Sequence, residues 1–425
     1  MNDLNKTQSA RKVRVGVVGS GRGQSMMDYC TKYGNAELVA ICDNYPPALE
    51  RARRKYGEAV TYYADFEDFL HHDMDAVVLA NFANEHAPFA IRCMQAGKHV
   101  LSEVLPVQSM QEAVQLVETV ESTGMLYAYA ENCCYMPSAR LMRDAYRAGR
   151  LGTFEYGEGE YMHNCESGWD ALTYGDPNHW RNTMSAFYYC THSMGPMIHV
   201  SGLRPVRVTG FEAPYNARMR RMGAKGAPFG VEIVTLENGA LVKNLQGVGP
   251  SKDSTWFCVY GSKGRMESAR ADDATQKAVR TLYENLDENE GDNKSEPHLA
   301  DTEDEITAKF GASGHGGADD CMMYNFIERL RGDESADVID VYEALDMYLP
   351  GHFAYRSVLA GGMPMDIPDL RDKAQRDKWR DDATCTDPAA GENALPSYSK
   401  GNPEIPQETY DALRLKMEAR HMYDT

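Results

Sequence analysis

Nowhere does the sequence carry an apolar run approaching the ~20 residues needed to cross a bilayer. Positive charge is also scarce: Lys and Arg number 44 against 63 Asp and Glu, a formal charge of -19 over 425 residues. A surface of that sign repels phosphate backbones and anionic lipid, which argues against a nucleic-acid partner and against membrane attachment. The stretch from Met1 to Lys12 is polar with no apolar core, so no secretory signal is expected. Ten cysteines in so long a chain do not make a disulfide framework. Cys30, Cys42, Cys93, Cys258 and Cys321 stand at strand-like and helix-like positions, where a reduced thiol packs as a small hydrophobe. Internal repeats and long low-complexity tracts are absent. What is present is 43% hydrophobic and 25% charged, an ordinary balance for a packed globular chain, at a length that suits two domains. The expectation is a soluble, cytoplasmic protein.

The first third alternates strand and helix. From Val13 the chain reads VRVGVVGSGRG, a β-branched run that ends in glycines, and a helical pattern follows through Met26, Met27 and Cys30. A second apolar run, Leu38 to Cys42, ends in Asp43. Strand, glycine turn, helix and a second strand with an acidic end form a βαβ unit of the Rossmann kind. Gly19 allows the tight turn, Gly21 lets backbone amides approach a pyrophosphate, and the helix start adds partial positive charge. Asp43 lies 24 residues after Gly19, where a carboxylate can accept both ribose hydroxyls; no arginine follows it, so NAD is favoured over NADP. The spacing is Gly19-x-Gly21-x-Gly23, with Gln24 in place of the usual third glycine.

Helices are expected over Pro46 to Tyr56, Asp65 to Leu70 and Pro88 to Ala96, and after the Ser109/Glu112 capping box. Strands are expected over Ala76 to Ala80, His99 to Ser102 and Met125 to Ala130. This is a doubly wound parallel α/β sheet, in which ligands sit beyond the carboxyl ends of the strands. The residues there are Gly19, Ser20, Gly21, Arg22, Gly23, Asp43, Asn81 to His86 (with Asn84 between), Glu103 and Glu131. The boundaries read as 1–130 for this domain, 131–375 for a second, and 376–425 for a tail wrapping the surface with a last helix near Glu408 to Arg420.

In the second region the pattern becomes α+β. Six runs, Phe154 to His163, Val206 to Phe211, Val231 to Leu236, Ala240 to Leu245, Thr255 to Tyr260 and Gly264 to Glu267, read as strands joined by turns such as Glu237-Asn238-Gly239. They predict an open, mainly antiparallel sheet with one face packed and one available, which favours a homo-oligomer. The acidic stretch 268–310 reads as an exposed excursion of unknown role.

Three stretches of this region carry more polar and aromatic residues than packing requires. In Gly157-Glu-Gly-Glu-Tyr-Met-His163, strand alternation puts Tyr161 and His163 on one face and Glu158 and Glu160 on the other. Tyr188 to His199 reads as a loop entering a helix, with Tyr189 and His192 at its entrance. Gly314-His315-Gly-Gly-Ala-Asp319 is a glycine-rich helix start whose amides suit substrate oxygens. Each alone is commonly packing or turn chemistry; beside a nucleotide-binding domain, together they suggest a polyol cleft.

These residues resemble a known family. The chain from about 11 to 370 is similar to the Gfo/Idh/MocA oxidoreductases, and within them to the NAD-dependent glycosidases of glycoside hydrolase family 109. The matching motifs are Val17-Val-Gly19-Ser-Gly21-Arg-Gly23, Gly97-Lys-His-Val100 with Glu103, Glu131-Asn132, Glu158 to His163, Tyr189-Cys-Thr-His192-Ser-Met-Gly-Pro196 and His315-Gly-Gly-Ala-Asp319. Simple dehydrogenases of the family have Glu-Lys-Pro where this chain has Glu103-Val104-Leu105-Pro106, and Asp-x-x-x-His where it has Thr191-His192 and then Gly195-Pro196. Both departures point to the glycosidase branch.

The resemblance implies tightly held, recycled NAD and glycoside cleavage by C3 oxidation, C2 deprotonation, elimination, water addition and re-reduction. By the same resemblance His192 is the base at the oxidised hydroxyl and Tyr161 the base at C2. Tyr189, His163 and Arg181 would position the sugar, Glu131 would lie near the nicotinamide ribose, and His315 and Asp319 would be second-rank substrate contacts. Alternatives are a sugar 3-dehydrogenase releasing a ketosugar, a metal-assisted lyase or hydratase and a nucleotide sensor without turnover. A divalent metal, if used, would draw on Glu160, His163 and His192, although their spacing matches no closed zinc pattern.

Overall fold

The computed structural model describes residues 11–269, 279–283, 298–300, 305–310 and 314–423. Two compact units emerge, each gathered from separated stretches of chain. The first comprises Met1–Pro137, Thr302–Leu345 and Leu370–Asp381; the second comprises Ser138–Asp301, Asp346–Asp369 and Asp382–Thr425.

The first unit holds β1 (Val13–Val18), α1 (Gln24–Lys32), β2 (Ala36–Cys42), α2 (Pro46–Tyr56), β3 (Thr61–Tyr63), α3 (Phe66–Leu70), β4 (Ala76–Leu79), α4 (His86–Gln95), β5 (His99–Ser102), α5 (Met110–Thr123) and β6 (Tyr127–Tyr129). The six strands lie in the order β3-β2-β1-β4-β5-β6, and every pair is parallel. This is the expected doubly wound sheet. β4 is buried at all positions because helices cover both faces of a parallel sheet. The short edge strand β3 has an exposed-to-intermediate pattern, too brief to register as periodicity in the sequence.

Cap chemistry sets the helix limits. Asp65 accepts from the amides of Glu67 and Asp68, Ser109 accepts from the Glu112 amide, and Gly124 closes α5 in the left-handed conformation.

The late segments that join this unit could not be read from linear order. Tyr129 donates its amide to Ile339 O (2.9 Å), and the Tyr135 hydroxyl donates to Asp337 O (2.8 Å). Arg376 and Arg380 pair with Glu121 (2.8 Å) and Glu118 (2.7 Å) on α5. The division at 130 and 375 expected from the sequence therefore gives way to one in which 302–345 and 370–381 pack with the nucleotide-type sheet.

The second unit holds α6 (Pro137–Arg147, from Ser138 onward), β7 (Phe154–Met162), α7 (Trp169–Thr173), α8 (Thr191–Ser201), β8 (Pro205–Glu212), α9 (Ala217–Arg221), β9 (Gly230–Leu236), β10 (Leu241–Gly247), β11 (Ser254–Gly261), β12 (Gly264–Ser268), β13 (Val279–Tyr283) and β14 (His298–Ala300). The chain then runs through α10 (Glu305–Phe310), α11 (Ala318–Leu330), α12 (Val341–Leu359), β15 (Met365–Asp366), α13 (Lys373–Arg376) and α14 (Gln407–Tyr423). Nine strands form one sheet, β14-β13-β12-β11-β7-β10-β9-β8-β15. All described pairs are antiparallel except β7 with β10, which run parallel across the middle. Where 268–310 is described it is not a plain excursion, since β13 and β14 extend the sheet; the acidic run 286–292 lies outside the described residues.

One face of this sheet is covered by α8, every residue of which is buried. Gly157 and Gly159 of β7 make the contact possible. A Cβ at 159 would stand 2.0 Å from Ser193 O, and one at 157 would stand 2.8 Å from Met197 Sδ. The opposite face keeps Phe211, Ile233 and Leu241 exposed.

The end of the chain belongs to the second unit's structure and does more than wrap it. Asp170 on α7 is fully buried and pairs with Lys416 (3.3 Å) and Arg420 (2.6 Å) of α14, while Tyr410 donates to Gly223 O (2.9 Å). Removing both cations would leave a buried carboxylate uncompensated, at a cost of about 3–5 kcal/mol. Lys416→Met/Arg420→Met should therefore lower the melting temperature by several degrees, and adding Asp170→Asn should recover most of the loss. Calorimetry that finds the double variant as stable as wild type would show the pair to be a surface contact only.

Candidate active site

The glycine turn sits at the carboxyl end of β1. Gly19 has φ +88°, and a Cβ there would stand 2.4 Å from Ala80 O, so only glycine passes β4 at this point. Gly23 takes over the packing role of the missing third glycine: its Cβ would meet Gly19 O at 2.5 Å and Val17 at 2.6 Å. Gly21 faces open space, with nothing within 4 Å of a Cβ position, as a surface for a pyrophosphate requires.

Asp43 lies at the end of β2 against the turn, accepting from Ser20 N (2.8 Å), Ser20 Oγ (2.6 Å) and Tyr45 N (2.9 Å). At the end of β4, Asn81 donates to Glu85 (2.9 Å) and keeps a buried Oδ1 with no protein donor, an acceptor suited to a ligand hydroxyl. His86 is buried with Nδ1 on Leu105 O (2.9 Å); Asn84 adjoins it, its backbone O accepting from Gln108 (3.2 Å). Glu103, at the end of β5, pairs with Arg22 (2.7 Å). Glu131, fully buried beyond β6, accepts from Cys133 N (3.2 Å). All the nucleotide-site residues expected from the sequence thus sit in the first unit at the carboxyl ends of its strands. An open glycine turn, a carboxylate and an orphaned amide oxygen fit NAD.

His315 and Asp319 also lie in the first unit and not in the second, where the sequence boundaries put them. Asp319 receives Arg22 through both guanidinium nitrogens (3.1 and 3.2 Å), Asn132 Nδ2 (3.0 Å) and His315 Nδ1 (3.2 Å). Burial pushes its carboxyl up, but the His315 hydrogen bond and the Arg22 charge outweigh that and hold it well below the usual carboxylate range. In return the Asp319 hydrogen bond raises His315. Four protein donors thus occupy the carboxylate for which the sequence suggested a substrate contact.

The second unit gathers the remaining residues. Because Tyr161 shares the Gly157–Gly159 face of β7, it meets α8 at its first turn, where His192 stands. Ring centroids of Tyr161 and His192 are 4.5 Å apart, Tyr189 and His192 5.6 Å, and Tyr161 and His163 5.8 Å. Arg181 Nη1 donates to the Tyr189 hydroxyl (2.6 Å), and its guanidinium stacks on Trp180 at 4.5 Å. The loop that carries Arg181 is held by Asn182, which accepts from Trp169 Nε1 (2.9 Å) and donates to Asp176 O (2.8 Å). His163 lies just past the strand, exposed, with its amide on Gly247 O (2.9 Å).

Glu158 pairs with Lys243. Glu160 follows Glu158 on the sheet face opposite Tyr161 and His192, so Glu160, His163 and His192 do not converge as metal ligands.

Sequence reasoning missed a polar cluster under the first turn of α8. Glu232, Asn244 and Gln246 are each fully buried. Asn244 Nδ2 donates to Glu232 (2.7 Å) and lies 3.5 Å from Cys190 O. The signal was present: Gly230, Glu232, Val234 and Leu236 alternate onto the packed face, and a glutamate there breaks the apolar pattern.

Residues 13–131 match the oxidoreductase family with the NAD-binding Rossmann fold, Gfo/Idh/MocA, and residues 292–380 match the C-terminal domain of glycosyl hydrolase 109. The two matches together support assignment of the chain to the Gfo/Idh/MocA oxidoreductases, near glycosyl hydrolase family 109. A glycosyl hydrolase family 109 protein of Solibacter usitatus is 26% identical over 402 residues, covering 87% of this chain and 89% of the relative. One from Bacteroides thetaiotaomicron is 25% identical, covering 86% of each.

Among solved structures, the WlbA dehydrogenase of Bordetella pertussis in complex with NADH and UDP-GlcNAcA superposes with TM-score 0.68 at 22% identity, over 84% of this chain and 98% of that one. An inositol dehydrogenase homolog of Azotobacter vinelandii complexed with NAD+ gives 0.69 at 15%, over 84% and 98%. These structures share the fold. The protein is an NAD-dependent enzyme of the glycosidase or sugar-oxidoreductase type.

The buried glutamate gives a pH test of the site's floor. Burial, only partly offset by the Asn244 and Gln246 amides, pushes Glu232 from 4.5 up to about 8. The folded state therefore keeps a proton that the unfolded chain releases, so this contribution to stability is full below 4.5 and is lost as pH rises to about 8. Relative to Glu232→Gln, wild type should lose about 1.4 kcal/mol per pH unit across that window in denaturant unfolding. Parallel pH profiles for the two proteins would mean that the carboxyl is ionised in the fold.

Proposed function

We propose that the enzyme hydrolyses glycosides by transient oxidation at sugar C3, deprotonation at C2, elimination of the aglycone, water addition and re-reduction. The observation that carries this reading is the contact between Tyr161 and His192, ring centroids 4.5 Å apart, beside the Arg181–Tyr189 pair. Oxidising a hydroxyl calls for one base, at the O–H. Elimination calls for a second, at the C–H next to the new carbonyl. Two adjacent groups able to exchange protons suit that sequence better than a single base would.

NAD would be held by Gly19 to Gly23, Asp43 and Asn81 with Asn84, His86, Glu103 and Glu131 about it, and would supply a hydride acceptor able to return the same electron pair. It would stay tightly bound, since no net oxidation occurs. His192 takes the C3 hydroxyl proton. Tyr161 takes the C2 proton, which the neighbouring ketone acidifies, and the released electron pair expels the glycosidic oxygen from C1. The aglycone leaves with a proton, and water adds across the C1–C2 double bond. Arg181, Tyr189 and His163 hold the sugar. A carboxylate pair flanking the scissile bond is unnecessary. The absence of lysine from Glu103-Val104-Leu105-Pro106 supports departure from simple alcohol oxidation.

Two further readings belong here. Ten free, buried cysteines support a reducing compartment and so the cytoplasm; among the described residues no helix is long and apolar enough to cross a membrane. Exposed Phe211, Ile233 and Leu241 on the open sheet support a homo-oligomer formed through that face. Light scattering should report a multimer that Ile233→Asp weakens; a wild-type monomer at micromolar concentration would remove this reading.

The reaction is tested with nitrophenyl α- and β-glycosides and NAD in deuterated buffer. Nitrophenol release with deuterium at sugar C2 is expected. His192→Ala should lower kcat by about 100-fold or more, and Tyr161→Phe should block nitrophenol release while still allowing reduced cofactor to form in a single turnover. Ketosugar without nitrophenol would replace the glycosidase by a sugar 3-dehydrogenase, and loss of activity with chelator would point to a metal-assisted lyase.

A further inference from the structure

Arg22 is the one charged side chain of the glycine turn 19–23, and it does not project freely. Both of its terminal nitrogens are engaged twice. Nη1 donates to Asp319 Oδ2 (3.1 Å) and Ser25 Oγ (2.9 Å); Nη2 donates to Asp319 Oδ1 (3.2 Å) and pairs with Glu103 (2.7 Å). The Asp319 side chain is only 3% exposed. Its remaining acceptor capacity is taken by Asn132 (3.0 Å) and His315 (3.2 Å). A two-point guanidinium–carboxylate contact fixes orientation as well as distance. The carboxylate itself is anchored by the start of α11 and by the segment after β6, so the turn is tied to two separate parts of the unit.

We propose that Asp319 is a positioning residue for the cofactor: through Arg22 it pins the glycine turn in the shape its amides need to receive the NAD pyrophosphate. The inference rests on NAD occupying that turn and not on which reaction follows. Electrostatics makes the test sharp, because charge and positioning predict opposite signs. Arg22 faces two carboxylates, so simple charge balance says that removing one should favour a dianionic pyrophosphate. Pinning says the reverse, since a turn released from its anchor must be ordered at the expense of binding.

The experiment is calorimetric titration of the purified full chain, stripped of nucleotide, with NAD. Asp319→Asn keeps size and removes the ionic grip; it should weaken NAD binding by about tenfold. Arg22→Lys, which keeps the charge and loses the two-point geometry, should weaken it to a similar extent. The double variant should be no worse than either single variant, because both remove the same link. Glu103→Gln, which takes away a carboxylate but not the two-point grip, should weaken binding less than Asp319→Asn. Unliganded melting temperatures are recorded alongside, and a loss of NAD affinity that simply tracks lower stability, or additive losses in the double variant, would overturn the proposal. So would tighter or unchanged NAD binding in Asp319→Asn with a raised sugar KM, which would return Asp319 to the substrate.

Discussion

The second unit's site depends on one close approach, that of α8 to β7. A helix normally stands off a sheet by the thickness of two layers of side chains. Here β7 has glycine at 157 and 159, and Ser193 O sits where a Cβ of residue 159 would be. Alternation then fixes the next residue on that face as Tyr161, under the first turn of the helix, where His192 stands. The pairing follows from missing side chains at two positions and a ring at the third. The same closeness explains why the cluster beneath is polar: Asn244 lies against both the strand and Cys190 O, and Glu232 keeps its proton because water is excluded.

The first unit solves a different problem. A parallel sheet offers a crevice at its carboxyl ends but leaves the glycine turn exposed and conformationally free. That freedom is limited by contacts of three kinds: backbone packing of Gly19 and Gly23 on β4 and β1, the Asp43–Ser20 hydrogen bonds and the Arg22–Asp319 ion pair. Each comes from a different distance in sequence. The Asp43–Ser20 bonds and the packing of Gly23 on β1 are local to the βαβ unit, the packing of Gly19 reaches Ala80 at the end of β4, and the ion pair spans 297 positions.

Legibility followed that distance. Helix α2 matches its expected limits because Pro46 and Gly57 mark them chemically. The six inner strands of the second sheet were visible through alternation and turn residues, as at Asn238-Gly239. The parallel pairing of β7 with β10 was not, because alternation says which way side chains point and nothing about which strand lies alongside. His192, Tyr161 and Tyr189 could be named from their residue types and the motifs around them; that their rings come within 4.5–5.6 Å of one another emerged only when β7 and α8 packed. Asp319 was legible as part of a glycine-rich helix start, but its pairing with Arg22 was not, since that partner is remote in the chain.

By itself the sequence determined the local conformations and the chemistry available: the glycine turn with its acidic strand end, the α/β and then α+β order, and the stock of Tyr, His and Arg. These depend on backbone sterics, capping and periodicity, all of which act within a few residues. The tertiary structure alone decided that 302–345 and 370–381 return to the first unit, that Tyr161 lies against His192, and that Glu232 is buried. Those outcomes depend on which surfaces exclude water from one another, and burial is a property of the packed chain that no short stretch of residues contains.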